Sequence, residues 1–232
     1  MKNIIAVIAA RGGSKGIPKK NLIPFCGKPL IYWSIKVALE TPEINSVWVT
    51  TDDTLIAEQS QRFGAEVVMR PDELSGDIIM PDAAWEHAIN EVSRTSDATI
   101  DMVVALQNTS PLRQSSDLSQ AILKFKQSEC DTMFSGSDAS DLTLWSKKET
   151  GEFESLNFNW RKRLRRQDMK PQFIENGSFY IFTPETIARS HDRFFGKIEM
   201  FAMEKWKSFE IDEIVDIQLC EYLMQNYLLS DI

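Results

Sequence analysis

Residues 4–21, IIAVIAARGGSKGIPKKN, place a short apolar run directly before a turn rich in glycine and positive charge. The run from Ile4 to Ile8 has the length and composition of a buried β-strand. The turn, residues 9–21, has three glycines, no acidic residue and four cations, Arg11, Lys15, Lys19 and Lys20. Ligands of parallel α/β sheets bind beyond the carboxyl ends of the strands. The stretch therefore predicts a first strand and an anion-binding turn at its exit.

The same strand pattern recurs through the first part of the chain. Short runs of β-forming residues follow at 47–51, 67–69, 103–106 and 133–135, and segments 28–40 and 54–66 have helical periodicity. A later strand is predicted at 178–183, before a C-terminal helix whose apolar face holds Ile217, Cys220, Met224 and Leu228. Strands that alternate with helices predict an α/β fold with a parallel sheet covered on both sides.

The pattern changes after about residue 140. Turn formers and aromatic residues become frequent, and five cations lie within Arg161 to Arg166. We therefore divide one structural domain into an α/β core over 1–140, an arm over 141–200 that includes a strand returning to the core, and a core-completing strand and helix over 201–232. The basic run is either a nucleic-acid patch or a solvated face. The formal net charge of -8 favours the solvated face.

The overall composition limits the function classes. A net charge of -8 argues against general affinity for nucleic acid or anionic membranes, so any polyanion site must be local. The three cysteines, Cys26, Cys130 and Cys220, are too few and too scattered for a disulfide framework or a zinc cluster. The apolar run Ile4 to Ala10 is too short for a signal peptide, and no window approaches the roughly 20 apolar residues of a membrane span. We expect a cytoplasmic protein with reduced thiols.

The turn at 9–21 suits a phosphate ligand. Gly12, Gly13 and Gly16 can adopt conformations closed to other residues, which lets backbone N–H groups converge on phosphate oxygens. Arg11 can form two parallel hydrogen bonds with a phosphate, and the lysines can neutralise further charge. The pattern matches neither G-x-x-x-x-G-K-[ST] nor G-x-G-x-x-G. A triphosphate site is therefore one interpretation, and a solvated basic loop is the other.

Six motifs together carry a resemblance to a known family. In order they are ARGGSKGIPKKN, TDD, RPDEL, LQNTSPLR, ENGSFY and FEIDEIVD, which span about residues 3–225. They resemble the cytidylyltransferases that activate nine-carbon acidic sugars, especially CMP-N-acylneuraminate (sialic acid) synthetases. Legionaminate and pseudaminate enzymes are similar, and 3-deoxy-manno-octulosonate enzymes are more distant. The resemblance implies a Rossmann-like nucleotidyltransferase fold, CTP and an acidic nine-carbon sugar as substrates, Mg²⁺, and a homodimer formed through the arm.

The resemblance also implies the nucleotide site. It assigns catalysis to Arg11, Lys20 and Asp212. Nucleotide binding falls to Ala9, Ala10, Arg11, Gly12, Ser14, Lys20, Asn21, Arg70 and Asp77. Arg70 and Pro71 have a purely structural alternative, because they could merely end a strand. Pro81 stands in a neighbourhood where relatives often offer a hydroxyl.

The resemblance places the acceptor sugar near the LQNTSPLR and ENGSFY motifs. The implied sugar-binding residues are Gln107, Thr109, Ser110, Arg166, Gln167, Asn176, Tyr180, Phe194 and Phe195. Arg166 would face the anionic substrate, and the two phenylalanines resemble an aromatic wall from a neighbouring subunit, with simple packing as their alternative. Asn108 replaces the proline usual in this motif, and Arg113 completes the loop with Thr109 and Ser110.

Glu210 and Asp212 are the predicted metal ligands. They alternate along an extended segment, so both carboxylates can project to one side. Asp212 has a structural alternative as a helix N-cap, and Asp216 is expected to be structural. Relatives frequently carry Asp where Glu210 stands. A non-catalytic nucleotide-binding relative is the rival from another function class, because a shared fold does not guarantee a shared activity.

Overall fold

The structure, a computed structural model, describes residues 3–14, 16–74, 76, 80–96 and 99–229, and the backbone but not the side chain of residue 166. The described strands are β1 (Ile4–Ala9), β2 (Pro24–Phe25), β3 (Lys28–Pro29), β4 (Ser46–Thr51), β5 (Glu66–Met69), β6 (Met102–Gln107), β7 (Thr132–Asp138), β8 (Trp145–Lys147), β9 (Phe153–Ser155), β10 (Phe173–Phe182) and β11 (Ile198–Ala202). The helices are α1 (Leu30–Leu39), α2 (Thr54–Arg62), α3 (Pro81–Thr95), α4 (Ser115–Gln127), α5 (Pro184–Ser190) and α6 (Ile214–Leu223), which continues into a π-helical turn, Met224–Leu228.

Seven strands form the central sheet in the order β11-β7-β10-β6-β1-β4-β5. β10 runs antiparallel to both of its neighbours, and the other pairs are parallel. The predicted α/β class with a mostly parallel sheet is therefore confirmed. β4 and β5 lie on one side of β1, and β6 lies on the other, so the strand order reverses at β1. Open α/β sheets bind ligands at such a switch point.

The first strand is buried on both faces, which explains its continuous apolar sequence. Ile4, Ala6 and Ile8 pack against residues of α1, α2 and α4. Ile5 and Val7 pack against the other layer, which contains Trp85 of α3 and Ile187 of α5. Each buried apolar side chain of this size contributes about 1.5–3 kcal/mol, so the strand is held rigidly where the turn begins.

All the predicted core strands are present, and β10 begins five residues earlier than the predicted 178–183. The C-terminal helix also packs as predicted, with Cys220 and Met224 buried beside Phe25 and Trp33. The three cysteines are free thiols. None of the described helices is both long and apolar enough to cross a bilayer.

The arm contains the β8–β9 hairpin and a 3-10 turn, Arg166–Asp168. Trp145 and Phe158 contact each other edge to face at 5.2 Å between ring centroids. Residues 161–165 of the basic run are exposed, and the Arg161 guanidinium lies 4.5 Å from the Trp160 ring. This agrees with the solvated-face interpretation. The boundaries of the three segments stay a prediction.

Candidate active site

The carboxyl ends of β1, β4 and β6 meet at one edge of the sheet. Ala9 pairs in register with Thr50 of β4 and with Gln107 of β6. A cavity of about 420 Å³ opens there, which we call the basic cavity. Its lining residues are Ala9, Arg11, Ser14, Lys20, Asn21, Arg70, Met80, Pro81, Gln107, Asn108, Thr109 and Asp212. Six predicted nucleotide residues thus share one cavity, and Asp77 lies outside the described residues.

A second cavity of about 430 Å³, the acidic cavity, adjoins the first. It is lined by Met80, Pro81, Asp82, Gln107, Glu175, Gly177, Tyr180, Asp192, Arg193, Phe194 and Glu210. Met80, Pro81 and Gln107 line both cavities. The acidic cavity contains the predicted sugar residues Gln107, Tyr180 and Phe194. Residues predicted for the nucleotide and for the sugar thus line two adjacent cavities with a common wall.

The glycines of the turn are required by close packing. Gly12 and Gly13 do not have positive φ, whereas Lys19 does, with φ of 53°. Gly16 is required by close approach, because an added Cβ would lie 2.6 Å from the Asp212 carbonyl oxygen. The Gly12 N–H donates to the Asp52 carboxylate at 2.8 Å. An added Cβ at Gly12 would lie 2.8 Å from Asp53, so the lack of a Cβ is required at both positions. The convergence of the glycine N–H groups on a phosphate stays a prediction.

Lys20 connects the turn to the segment that holds the predicted metal ligands. Its buried ammonium donates to the Ile211 carbonyl at 2.8 Å and to the Asp212 carboxylate at 2.9 Å. The Asp212 side chain is 71% exposed, so this carboxylate also faces solvent. A buried ammonium needs such partners because desolvation of an unpaired charge costs several kcal/mol. The pair thus places one cation and one carboxylate at the mouth of the basic cavity.

Arg11 and Arg70 complete the positive lining of the basic cavity. The buried Arg70 guanidinium donates to the Thr50 carbonyl at 3.3 Å and lies 4.0 Å from the Asp52 carboxylate. Burial lowers the pKa of Arg70, Asp52 opposes that change, and Arg11 adds to it. Both guanidinium groups belong to residues that line the same cavity. An anion between them would relieve their mutual repulsion.

The loop after β6 is built around Arg113. Its fully buried guanidinium donates to the carbonyls of Gln107 at 3.0 Å, Ser110 at 2.6 Å and Ser178 at 2.8 Å. Burial lowers the pKa of Arg113 to about 9. Thr109 faces the basic cavity, and its carbonyl accepts from the Ile211 N–H at 2.8 Å. Arg113 therefore fixes the loop that separates the two cavities.

Glu210 and Asp212 lie on either side of the buried Ile211 and line the acidic and basic cavities respectively. Burial raises the pKa of the Glu210 carboxyl to about 7, and the carboxylates of Asp212 and Glu175 add to the rise. A divalent cation would offset this charge. The described residues contain no group of three or more acidic, His or Cys side chains suited to a metal. Two carboxylates completed by phosphate oxygens fit the usual environment of Mg²⁺.

The N-cap alternative for Asp212 was wrong. The helix N-cap is Glu213, and the Asp216 carboxylate accepts from the Asp212 N–H at 2.9 Å and the Glu213 N–H at 2.7 Å. Asp216 is therefore structural, as predicted. Because Asp216 satisfies the helix terminus, the Asp212 carboxylate stays available to Lys20 and to a ligand.

Two pairs shape the acidic cavity. The Tyr180 hydroxyl donates to the Glu175 carboxylate, and burial, with that hydrogen bond, raises the pKa of Tyr180. Arg193 donates to both oxygens of Asp82, at 2.9 and 2.6 Å, and stacks 4.5 Å from the Tyr180 ring centroid. The cation of this cavity is thus already paired with a carboxylate.

Some predicted sugar residues do not reach the acidic cavity. The buried Asn176 side chain accepts from the Ser135 hydroxyl at 2.6 Å and contacts Met203. Gln167 is exposed in the 3-10 turn of the arm, and the Arg166 side chain is outside the description. Phe194 packs against Tyr180 of its own chain at 5.9 Å, whereas Phe195 is 38% exposed. Their roles in sugar binding stay predictions.

Sequence reasoning missed Asp52, Glu175 and Arg193 as site residues. Asp52 lies at the carboxyl end of β4, where its contact with Gly12 could have been anticipated from the strand order. Glu175 was within a quoted motif, but its five-residue separation from Tyr180 predicts opposite faces of a regular strand. A register shift between them brings both to one cavity.

A larger cavity, of about 720 Å³, lies in the arm around Phe158, Leu164 and Met169. Among the residues whose side chains the structure describes, none of the predicted site residues lines it. The two cavities at the switch point therefore remain the candidate site, because they combine the position expected for a ligand with convergent charged groups.

A family model described as cytidylyltransferase matches residues 5–231. N-acylneuraminate cytidylyltransferase A of Danio rerio is 35% identical over 223 residues, which cover 95% of this chain and 50% of the relative. Pseudaminic acid cytidylyltransferase of Campylobacter jejuni subsp. jejuni serotype O:23/36 (strain 81-176) is 30% identical, with 96% of each chain covered. The chain thus spans about half the length of the Danio rerio relative.

The fold has solved counterparts. A structure described as CMP:2-keto-3-deoxy-manno-octonic acid synthetase complexed with CTP has a TM-score of 0.72 and 16% identity. The match covers 98% of this chain and 100% of that chain. At this identity the likeness establishes a shared fold and nothing about substrates.

Proposed function

Because the chain belongs to the cytidylyltransferase family, we propose that it transfers CMP from CTP to the anomeric hydroxyl of an N-acylneuraminate and releases pyrophosphate. The observation that carries this proposal is a cavity lined by cations that adjoins a second cavity and shares Gln107 with it. A nucleotide in the basic cavity and a sugar in the acidic cavity would meet beside that shared wall. Such positioning can supply much of the rate enhancement in a group transfer.

The basic cavity suits a triphosphate. Of the described residues that line it, Arg11, Lys20 and Arg70 are cations and Asp212 is the carboxylate. The two arginines can hold phosphate oxygens through paired hydrogen bonds, and Lys20 contributes a point charge. These groups would stabilise the negative charge that develops as the bond between the α- and β-phosphates breaks.

Mg²⁺ is the metal that this site would hold, with Glu210 and Asp212 as its protein ligands. When bound, it would neutralise phosphate charge and polarise the phosphoryl group for attack. Lys20 keeps the Asp212 carboxylate oriented toward the basic cavity through its 2.9 Å hydrogen bond. Partial burial raises the pKa of the Glu210 carboxyl, and a cation would be a favourable partner for its ionised form.

The test is pyrophosphate release from CTP with N-acetylneuraminate, with and without Mg²⁺. We expect wild type to release pyrophosphate only with the metal, and Asp212→Ala to lower kcat/KM by roughly 10²-fold or more, since it removes a ligand and the partner of Lys20. Glu40→Gln removes an exposed carboxylate that pairs with Lys36 and serves as the matched control. Wild-type rates in Asp212→Ala would refute the metal assignment, and CTP binding without turnover of any acidic sugar would support a non-catalytic protein.

Pseudaminate is the second candidate acceptor. The Campylobacter jejuni relative with that substrate in its name matches along 96% of both chains, unlike the longer N-acylneuraminate relatives. A panel of neuraminate, legionaminate, pseudaminate and octulosonate acceptors would rank them by kcat/KM. Turnover confined to pseudaminate or octulosonate would replace our first choice.

We further propose a homodimer assembled through the arm, in the cytoplasm. The arm exposes large apolar side chains, namely Leu144, Trp145, Phe153, Leu156, Trp160 and Leu164. A concentration of exposed large apolar side chains in one segment is consistent with an interface. Light scattering should give twice the mass of 26.5 kDa, and Phe153→Glu should give the monomer. The three free cysteines suit a reducing compartment.

A further inference from the structure

A buried chain of side-chain hydrogen bonds leads from the loop after β6 to the nucleotide turn. Arg113 donates to the Ser34 hydroxyl at 2.5 Å, and Ser34 donates to Asn108 Oδ1 at 2.8 Å. Asn108 Nδ2 donates to Asn21 Oδ1 at 2.8 Å. Asn21 Nδ2 then donates to the Arg11 carbonyl at 2.8 Å.

The series of hydrogen bonds runs in one direction, because each side chain accepts a hydrogen bond from the side chain before it and donates one to the next group. Arg113 can only donate, so the Ser34 hydroxyl must accept from it and point its own hydrogen at Asn108. That hydrogen fixes which end of the Asn108 amide faces Ser34, and the Asn108 amide in turn fixes the orientation of Asn21. All four side chains are buried, so water does not compete freely for these groups.

The last hydrogen bond reaches the backbone of the residue whose side chain enters the basic cavity. The Arg11 carbonyl belongs to the first turn after β1, and no strand pairing reaches it, since the parallel registers end at Ala9. Asn21 therefore holds this carbonyl by a hydrogen bond, and the orientation of the Asn21 amide depends on Asn108. Asn108 is the first residue after β6 and lies 87 positions from Asn21 in the sequence.

We propose that Asn108 is a positioning residue for CTP, which orients Asn21 and thereby holds the Arg11 segment in its binding conformation. This rests on the proposed function, since the ligand is the nucleotide of that reaction. The role differs from direct contact, because Asn108 acts through Asn21. Ser34, which does not line either cavity, should share the effect.

The decisive variant is Asn108→Asp, which replaces the donor Nδ2 by an oxygen with almost no change in shape. At a pH at which the new carboxyl is ionised, Asn21 must turn its amide over to donate to it, and the hydrogen bond from Asn21 Nδ2 to the Arg11 carbonyl is lost. We expect KM and Kd for CTP to rise about tenfold, which is the usual effect of one unsatisfied buried group. The kcat and the KM for the acceptor should stay within about twofold, because the acidic cavity is not altered.

Two further variants make the result specific. Asn45→Asp is the matched control, because Asn45 already uses Oδ1 as an acceptor from the Ile4 N–H at 2.8 Å, at the opposite end of β1. Ser34→Ala removes the hydroxyl upstream of Asn108, and it should raise the Kd for CTP about threefold while KM for the acceptor is unchanged. Melting temperatures of all three variants identify any that are unfolded, and Ser34→Ala carries the test if Asn108→Asp is one of them.

Calorimetric titration with CTP and Mg²⁺ keeps this inference separate from the reaction. An unchanged Kd in folded Asn108→Asp overturns it, as does a raised Kd there with no change in folded Ser34→Ala, which would indicate direct contact. Wild type that binds CTP but turns over no acidic sugar refutes the proposed function while the Kd comparison still decides the role of Asn108. Wild type that binds no CTP refutes both.

Discussion

The basic and acidic cavities adjoin each other but differ in the sign of their charge. Arg11, Lys20 and Arg70 line the first, whereas the described lining of the second has the carboxylates Asp82, Glu175, Asp192 and Glu210 and one cation, Arg193. Because Arg193 is already bonded to both oxygens of Asp82, it offers little charge to an acidic ligand. The difference teaches that the described residues of the basic cavity offer cations to a phosphate ligand, whereas an acidic ligand of the acidic cavity would require a further cation.

Removal of positive charge from the basic cavity should have the largest effect on activity. Lys20→Met keeps most of the apolar stem and removes the ammonium that neutralises phosphate charge. We expect kcat/KM for pyrophosphate release to fall about 10²- to 10³-fold. Lys36→Met removes an exposed lysine that pairs with Glu40 and should leave the rate unchanged. A loss smaller than tenfold in folded Lys20→Met would show that Lys20 is not part of the catalytic site.

Arg166 is a candidate for the further cation that an acidic ligand of the acidic cavity would require. If this arm residue pairs with the acceptor carboxylate, Arg166→Ala should raise KM for the sugar about 10- to 100-fold and leave KM for CTP unchanged. The control is Arg161→Ala, because the Arg161 guanidinium stacks on the exposed Trp160 at 4.5 Å. Equal effects of the two variants would exclude a specific role for Arg166.

The smallest expected effect is a pH dependence of protein stability, which comes from Glu210 in the acidic cavity. The folded state raises the pKa of Glu210 from 4.5 to about 7, so between these values the folded protein retains a proton that the unfolded chain has lost. Stability contributed by this proton is therefore present at low pH and lost as pH rises through about 7. Allowing for solvent screening of this partly exposed group, we expect about 1 to 2 kcal/mol.

The measurement is the melting temperature in EDTA between about pH 4.5 and pH 8. Wild type should lose about 3 to 6 °C more than Glu210→Gln over this range. Added Mg²⁺ should restore stability mainly above pH 7, where the Glu210 carboxyl is ionised. Parallel pH curves for the two proteins would show that Glu210 titrates normally.

Much of the fold followed from local sequence. The buried strands were recognisable because both faces of a parallel sheet require apolar residues, as in the run from Ile4 to Ile8. The position of the turn at a carboxyl end then predicted the site of Arg11 and Lys20, which the structure brings together with Asn21, a residue implied by the family resemblance. The family resemblance supplied Arg70, Gln107 and Tyr180, which also line the two cavities.

Other parts of the site could not be predicted, because they depend on contacts between distant segments. Asn108 was visible in the sequence only as a departure from a proline, and its hydrogen bond to Asn21 appears once β1 and β6 pair. The pairing of Arg193 with Asp82 joins positions 111 residues apart. No local pattern encodes such partners.

The sequence by itself determined the first strand, the basic turn that follows it and the family resemblance, since these depend on residue type and short spacing. Only the tertiary structure decided how the charges are shared. In the folded protein the Gly12 N–H donates a hydrogen bond to Asp52, Lys20 donates to Asp212, and Tyr180 donates to Glu175. The physical reason is that a buried charge or hydrogen-bonding group takes whichever partner the packed chain brings within reach, and side-chain direction changes at irregularities such as the one in β10.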